Sequence, residues 1–312
     1  MRERTVGRSG LVVGEIGLGT LTWGRDTDEN EALGQLHTLL EAGGNLLDTS
    51  PAFGAGAAEN LIGTILDGKI SRRDVVLCTK AGFTSVGPRS RFGAGRGAIL
   101  DSVRNSLERL RTDYLDVLLV AAPDPLAPDE ETATALASLV ESGTVRYIGI
   151  MGYPAWRGAI LQQILSERHL PKLAVAETEY SLLARACEDE LTPMAAHTGM
   201  GLFAASPLGR GVLTGKYRHT IPPTSRAASD HLAAFVDPYL QSRPRRLVEA
   251  VATAAEGLGT TPTGIALTWV LSQPGVSAAL TGARTENQFR HILDSTMELP
   301  SLIERTLSEV TA

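Results

Sequence analysis

The 312-residue chain lacks the features that mark several protein classes. It contains only two cysteines, Cys78 and Cys187, which lie far apart in the sequence, so a disulfide framework is not expected. No apolar stretch approaches the length of a membrane-spanning helix, and the N-terminus has no apolar signal core. We therefore expect a cytoplasmic protein that makes no use of a membrane.

Positive charge is scarce as well. The 29 Lys and Arg residues against 35 Asp and Glu residues give a formal net charge of -6. Dense basic clusters occur at Arg89–Arg96 and Arg243–Arg246, which are typical of a solvated loop and a helix start. Alternatively, they hold an anionic substrate or a cofactor phosphate. No nucleic-acid partner is predicted, because no basic run offers a surface that could follow a phosphate backbone. No metal site is predicted either.

What the chain does contain is a regular alternation of apolar runs of strand length with longer amphipathic stretches. This pattern predicts parallel strands joined by crossover helices. The eight predicted strands are Glu15–Gly19, Asn45–Asp48, Val75–Thr79, Tyr114–Val120, Val145–Ile150, Leu173–Glu177, Gly201–Ala204 and Ser277–Thr281. The predicted helices are Asp28–Ala42, Ala57–Leu66, Ala98–Leu110, Asp129–Glu141, Trp156–Ser166, Leu191–His197 and Pro244–Leu258. The predicted fold is a (β/α)8 TIM barrel, with residues 1–312 forming one domain.

Four positions stand at the carboxyl ends of predicted strands, where barrels of this kind carry their chemistry. They are Asp48, Lys80, Ala121 and Glu177. A carboxylate in a partly apolar pocket tends to have a raised pKa, which suits Glu177 to acid/base work.

Two long segments, Gly82–Gly97 and Tyr217–Tyr239, interrupt the alternation. Loops of this length in a compact barrel are usually lids or binding walls, so we expect them to set substrate choice. The second segment carries His219 and His231, which could reach over the barrel mouth or be ordinary solvated histidines.

Motifs along nearly the whole chain resemble those of the aldo-keto reductases in order and spacing. The matching segments are Arg8–Gly24, Gly56–Gly63, Arg72–Gly82, Ser106–Val120, Gly143–Ile150, Glu177–Arg185, Ala205–Tyr217 and Ala266–Thr285. The resemblance implies the barrel fold, a small-molecule substrate and an NADP cofactor, in a monomer or a homodimer.

The resemblance also implies a catalytic quartet of Asp, Tyr, Lys and His, of which this chain keeps half. Asp48 and Lys80 stand at the aspartate and lysine positions, whereas Phe53 and Ala121 stand at the tyrosine and histidine positions. Neither of these two side chains can protonate a developing alkoxide or orient a carbonyl. We therefore expect that ordinary carbonyl reduction is lost. The Asp48–Lys80 ion pair is expected to serve catalysis, although it could merely stabilise the barrel.

The phosphate end of the implied cofactor site resembles that of the family. The loop Ser206–Gly211, with Leu208 and Arg210, matches the segment along the pyrophosphate. The segment Thr281–Gln288, which includes Gly282, matches the one that recognises the adenosine 2'-phosphate, where Arg284 favours NADP over NAD. Gln288 matches a residue that faces the adenine. Ile292 replaces an asparagine that would contact the adenine.

The nicotinamide end departs from the family pattern. Met151 and Gly152 replace a Ser-Asn pair that holds the carboxamide, Glu177 replaces a glutamine, and Ala205 replaces an aromatic residue that stacks on the ring. A poorly held ring is unsuited to hydride transfer.

Three functions stay open. The first is proton-transfer chemistry (elimination, isomerisation or cyclisation), with Lys80 and Glu177 as acid and base and Asp48 orienting the lysine. The second is NADP-dependent reduction of an imine, an activated alkene or a carbonyl with an atypical acid. The third is an inert module that binds a nucleotide or a partner protein.

Overall fold

The computed structural model describes residues 1–86 and 89–311, with backbone alone at residues 83–86 and 89–92. Its strands are β1 Glu3–Thr5, β2 Val12–Gly14, β3 Ile16–Gly19, β4 Leu46–Asp48, β5 Val76–Ala81, β6 Phe83–Val86, β7 Arg89–Phe92, β8 Leu115–Val120, β9 Val145–Met151, β10 Leu173–Glu179, β11 Gly201–Ala205 and β12 Val276–Thr281. Its helices are α1 Glu29–Glu41, α2 Ala57–Leu66, α3 Arg96–Leu110, α4 Asp129–Glu141, α5 Ala155–Glu167, α6 Leu191–Thr198, α7 Ala233–Val236, α8 Ser242–Leu258, α9 Pro262–Ser272, α10 Glu286–Asp294 and α11 Ser301–Thr311.

Strands β3, β4, β5, β8, β9, β10, β11 and β12 form a closed parallel barrel in that order. The ring closes where β12 pairs with β3, with Ala279 opposite Ile16. Each predicted barrel strand is found, and the (β/α)8 barrel predicted from the sequence is confirmed. The carboxyl ends of all eight strands therefore meet at one mouth.

Side chains on alternate sides of the barrel strands build two cores. Inside the barrel, Leu46, Cys78 and Phe203 belong to a cluster that also includes Val6 and Val13 from the N-terminal hairpin β1–β2. The hairpin thus packs its apolar side chains into the barrel interior. The larger cluster fills the space between the strands and the surrounding helices.

Several helices and strands of the structure were not predicted from the sequence. Helix α9 was not predicted, because nearly all of its residues are buried and it shows no polar face to reveal a helical period. Helices α10 and α11 were also not predicted. The segment Gly82–Gly97, predicted as an irregular loop, contains the antiparallel hairpin β6–β7. Among the described residues, no helix is both long and apolar enough to cross a bilayer.

Two glycines in helix interiors give a test of how tightly the barrel is packed. A Cβ at Gly63 on α2 would collide with the backbone carbonyl of Arg109 on α3, whereas a Cβ at Gly257 on α8 meets nothing within 4 Å. We expect Gly63→Ala to lower the free energy of unfolding by about 3 kcal/mol. Gly257→Ala should raise it by about 0.5 kcal/mol, because alanine loses less backbone entropy. Urea unfolding measures both, and equal effects would show that α2 and α3 are not in close contact.

Candidate functional site

Three charged side chains meet at the mouth of the barrel. Asp48 ends β4, Lys80 lies near the end of β5, and Glu177 lies near the end of β10. The Lys80 ammonium donates a hydrogen bond to Asp48 Oδ1 and lies 3.0 Å from Glu177 Oε2. All three residues are at most 5% exposed. The closed barrel thus places one buried cation between two buried carboxyl groups.

The pKa of Glu177 is raised from 4.5 to about 7. Burial is the largest cause, and the negative charge of Asp48 adds to it, while Lys80 acts in the opposite direction. Glu177 Oε2 accepts no hydrogen bond of good geometry within the described part of the chain, although the Lys80 ammonium lies close to it. A carboxyl group with this pKa can donate and accept a proton near neutral pH.

Lys80 behaves differently from what the sequence led us to expect. Burial alone lowers the pKa of an ammonium group, but attraction to Asp48 and Glu177 outweighs it and holds the pKa of Lys80 above its usual 10.5. Lys80 therefore stays charged at neutral pH and is a poor proton donor. Its position suits it to stabilise negative charge.

The Cys78 thiol also lies beside this group. Potential ligand atoms of Asp48, Cys78 and Glu177 lie within 4.8 Å of one another. Burial raises the pKa of the Cys78 thiol well above its usual value, so the thiolate that would bind a metal is disfavoured. The Lys80 ammonium already places one positive charge between the two carboxyl groups.

A cavity of about 690 Å³ opens onto the two carboxyl groups. Asp48, Phe53 and Glu177 line it. Ala121 is buried just after β8 and is not among the described residues that line the cavity. Phe53 begins a short 3-10 turn that leads into α2, with Gly54 and Ala55 in the left-handed region. The cavity therefore carries a phenyl ring at the expected tyrosine position.

All six residues that the sequence assigned to the cofactor line the same cavity. They are Ser206, Leu208, Arg210, Gly282, Arg284 and Gln288. The Arg284 guanidinium donates a hydrogen bond to the Thr224 carbonyl at 2.6 Å, and its Nε and one terminal nitrogen are buried without a hydrogen-bond partner.

Two further cations lie on this cavity that the sequence analysis did not single out, Lys216 and Arg226. Burial, followed by the charges of Arg226 and Arg284, lowers the pKa of Lys216 to about 8. Burial also lowers the pKa of Arg226, whose guanidinium donates to the Gly282 carbonyl at 3.2 Å. Like charges gathered on one cavity repel each other unless an anion joins them. We call Lys216, Arg226 and Arg284 the cationic cluster.

Arg210 differs from these cations. Its guanidinium forms a two-pronged ion pair with Glu179, with nitrogen-oxygen distances of 2.8 and 2.6 Å. Its charge is therefore already neutralised inside the protein, although the sequence places it along the cofactor pyrophosphate.

The two histidines of the segment Tyr217–Tyr239 differ in their position relative to the cavity. His231 lines the cavity, where its Nε2 lies 3.1 Å from an oxygen of Asp26. His219 is not among the cavity-lining residues of the described chain. Of these two histidines, His231 is therefore the one at the barrel mouth.

Comparison with known proteins identifies the architecture. The profile of the Aldo/keto reductase family matches residues 15–307. The chain belongs to this family. It is 32% identical over 316 residues to the "Probable voltage-gated potassium channel subunit beta" of Oryza sativa subsp. japonica, covering 100% of this chain and 96% of that protein. It is also 29% identical over 323 residues to "Aldo-keto reductase YhdN" of Bacillus subtilis (strain 168), covering 99% and 96%. The protein is accordingly an enzyme of the aldo/keto reductase family.

Within this family frame, the residues that depart from the pattern converge on one region. Met151 at the end of β9 pairs with Glu177, and Glu177 also pairs with Phe203 on β11. Ala205, which ends β11, lines the cavity beside Ser206. Met151 therefore lies next to Glu177 in the sheet, and Phe53 and Ala205 line the same cavity as Glu177.

The raised pKa of Glu177 should make the stability of the protein depend on pH. The folded protein holds the proton more tightly than the unfolded chain, so this stabilisation is complete below pH 4.5 and is lost as the pH rises through about 7. The loss should approach about 3 kcal/mol. Urea unfolding should show it in the wild type and not in Glu177→Gln. The exposed control Glu130→Gln should follow the wild type, and identical pH profiles for all three would contradict the buried acid.

Proposed function

We propose that this enzyme acts on a small metabolite by proton transfer, in an elimination, an isomerisation or a cyclisation, with Glu177 as the group that exchanges the proton. The observation that carries this proposal is the Glu177 carboxyl group itself. It is buried at the base of the cavity, one of its oxygens has no hydrogen bond within the described chain, and its pKa is about 7.

In this mechanism Lys80 and Asp48 support Glu177. Lys80 remains an ammonium ion and stabilises the negative charge that develops on the substrate or on Glu177 when a proton moves. Asp48 accepts a hydrogen bond from Lys80 and so fixes its orientation. The exchange of protons is assigned to Glu177 alone, whereas the sequence suggested that Lys80 shares it.

The retained and lost residues together disfavour ordinary carbonyl reduction. The Phe53 ring lines the cavity without a hydroxyl, and Ala121 has no imidazole with which to orient a carbonyl. Around the expected ring position, Met151, Gly152 and Ala205 offer neither amide clamps nor an aromatic face. Glu177, with a pKa of about 7, is a group at this mouth that can give and take a proton near neutral pH.

A second candidate function is NADP-dependent reduction of an imine, an activated alkene or a carbonyl, with Glu177 as the acid. The cationic cluster favours it, because three positive charges on one cavity and the Arg284 nitrogens that make no hydrogen bond in the described chain fit the phosphates of a dinucleotide. In that case Lys216, Arg226 and Arg284 would hold the phosphates, and bound NADPH would supply a hydride.

A third candidate is an inert module that binds a nucleotide or a partner protein. It gains support from the relatives named as probable voltage-gated potassium channel beta subunits. It predicts that changes at Lys80 and Glu177 have no effect on function.

Exchange of hydrogen with solvent tests the lead proposal without knowledge of the substrate. Incubation in D2O with a panel of small carbonyl compounds should incorporate deuterium into one of them, detected by mass spectrometry, without added NADP. Glu177→Gln and Lys80→Met should each slow incorporation by about 100-fold or more, since each removes part of the proton-transfer machinery. Glu130→Gln is the matched control. Full incorporation by Lys80→Met would refute the role of the ammonium group.

Calorimetry tests the second candidate separately. Arg284→Gln should weaken NADP binding by about tenfold and leave NAD binding unchanged, because the lost cation would face the 2'-phosphate. Arg290→Gln is the control, since Arg290 lies on α10 and pairs with Glu286 on the surface. A wild-type protein that binds neither NADP nor NADPH would remove this candidate and leave the lead proposal intact. NADPH consumption that gives a product two hydrogens richer would establish it.

A further inference from the structure

Arg210 lies at the centre of a contact network that joins two parts of the chain. Its Nε and one terminal nitrogen bind both oxygens of Glu179, two residues beyond Glu177 on β10. Its other terminal nitrogen donates to the Phe235 carbonyl at 2.6 Å. Its guanidinium carbon also lies 4.0 Å from the centre of the Phe235 ring and 5.0 Å from that of Tyr239.

These contacts engage all three nitrogens of the guanidinium group. Both of its edges are used by protein acceptors and its face is covered by aromatic rings, an arrangement that arginine provides and lysine cannot. The charge of Glu179 cancels that of Arg210, in contrast to the cationic cluster. A dinucleotide phosphate would have to displace Glu179 in order to use Arg210.

The backbone at Arg210 points to a requirement for this side chain. Arg210 has φ 58° and ψ 24°, between two glycines that also have positive φ. An L-residue with a side chain is disfavoured in this left-handed region, where glycine is the usual choice. A residue kept there at a conformational cost is expected to contribute through its side chain.

What Arg210 holds in place is a wall of the cavity. Residues 232–240 form two short helical turns, α7 and the 3-10 turn Asp237–Leu240, which are too short to be stable alone. Leu232 and Phe235 of this stretch line the cavity that contains Glu177. Phe53, Leu21 and Ala205 line the same cavity with apolar surface.

We propose that Arg210 is a positioning residue that clamps the wall segment, residues 232–240, to the end of β10, so that Phe235 and Leu232 form an apolar binding surface next to Glu177. The substrate class that this surface selects is a neutral, largely apolar molecule. The inference rests on the proposed function only in taking this cavity as the place where the substrate binds.

Hydrogen exchange measured by mass spectrometry tests the clamp independently of any activity. In Arg210→Ala and in Glu179→Gln, amide exchange over residues 232–240 should rise by about tenfold, because each change removes the ion pair. Arg210→Lys should give an intermediate rise, since it keeps the charge but loses the two-pronged geometry. Unchanged exchange in Arg210→Ala and Glu179→Gln would overturn the proposal.

Arg185 provides a matched control. It forms a similar two-pronged pair with Glu188, donates to the Ser308 carbonyl and lies over the Trp269 ring, but none of these residues lines the cavity found in the described chain. Arg185→Ala should therefore leave exchange over residues 232–240 unchanged. If it raises that exchange as much as Arg210→Ala does, the effect is a general loss of stability and the clamp is refuted.

Ligand binding distinguishes the clamp from a phosphate contact. The neutral fluorescent probe N-phenyl-1-naphthylamine should bind the wild type, and Arg210→Ala and Glu179→Gln should each weaken its binding by about fivefold. Their affinity for NADP should change by less than about twofold, because Arg210 makes no free charge available. A fall of about tenfold in NADP affinity for Arg210→Ala with normal probe binding would make Arg210 a phosphate ligand and overturn the proposal. Failure of the wild type to bind the probe would overturn the apolar substrate class while leaving the proton chemistry of Glu177 untouched.

Discussion

The burial of one ammonium ion between two carboxyl groups determines what this barrel can do. Lys80 can balance the charge of only one of its neighbours, and Asp48 receives its hydrogen bond. Glu177 is left with an electrostatic contact at 3.0 Å and one oxygen without a hydrogen bond in the described structure. Removal from water then favours its neutral form, which is why its pKa approaches 7. Glu177 is therefore suited to act as an acid because one buried ammonium ion cannot balance two buried carboxylates.

The second organising feature is the distribution of positive charge around the cavity. Arg284 lowers the pKa of Lys216 and of Arg226, and Arg226 also lowers that of Lys216. The described residues do not neutralise these three cations with a matching number of carboxylates. Arg210 lines the same cavity, but its charge is neutralised by an ion pair with Glu179. The first three are organised for an incoming anion, whereas Arg210 is organised to hold the protein together. Residues of the same charge on one cavity thus serve different purposes.

The sequence predicted the barrel and its mouth because both depend on local patterns. Apolar runs revealed all eight barrel strands, and the position of Asp48 and Glu177 at strand ends followed from that. Helix α9 was missed because complete burial removes the amphipathic period. The charge state of Lys80 and the pairing of Arg210 were also misjudged, because each depends on a residue far away in the sequence. The partner is Glu177 for Lys80 and Glu179 for Arg210. Protonation states and ion pairs depend on residues that the fold brings together. The spacing of residues along one segment does not reveal those partners.

Under the proposed function, the group that exchanges the proton is the Glu177 carboxyl and not a phenol, and this changes the kind of reaction that the site suits. A phenol with its ordinary pKa near 10 acts mainly as an acid at neutral pH, whereas a carboxyl group with a pKa of about 7 is present in both forms. One such group can remove a proton from one atom of a substrate and return it to another within a single turnover. Elimination, isomerisation and cyclisation need this alternation, and an adjacent permanent ammonium ion stabilises the anion between the two steps. Under the proposed function, the absence of a hydroxyl at Phe53 and the presence of a carboxyl group at Glu177 thus contribute to the same proton chemistry.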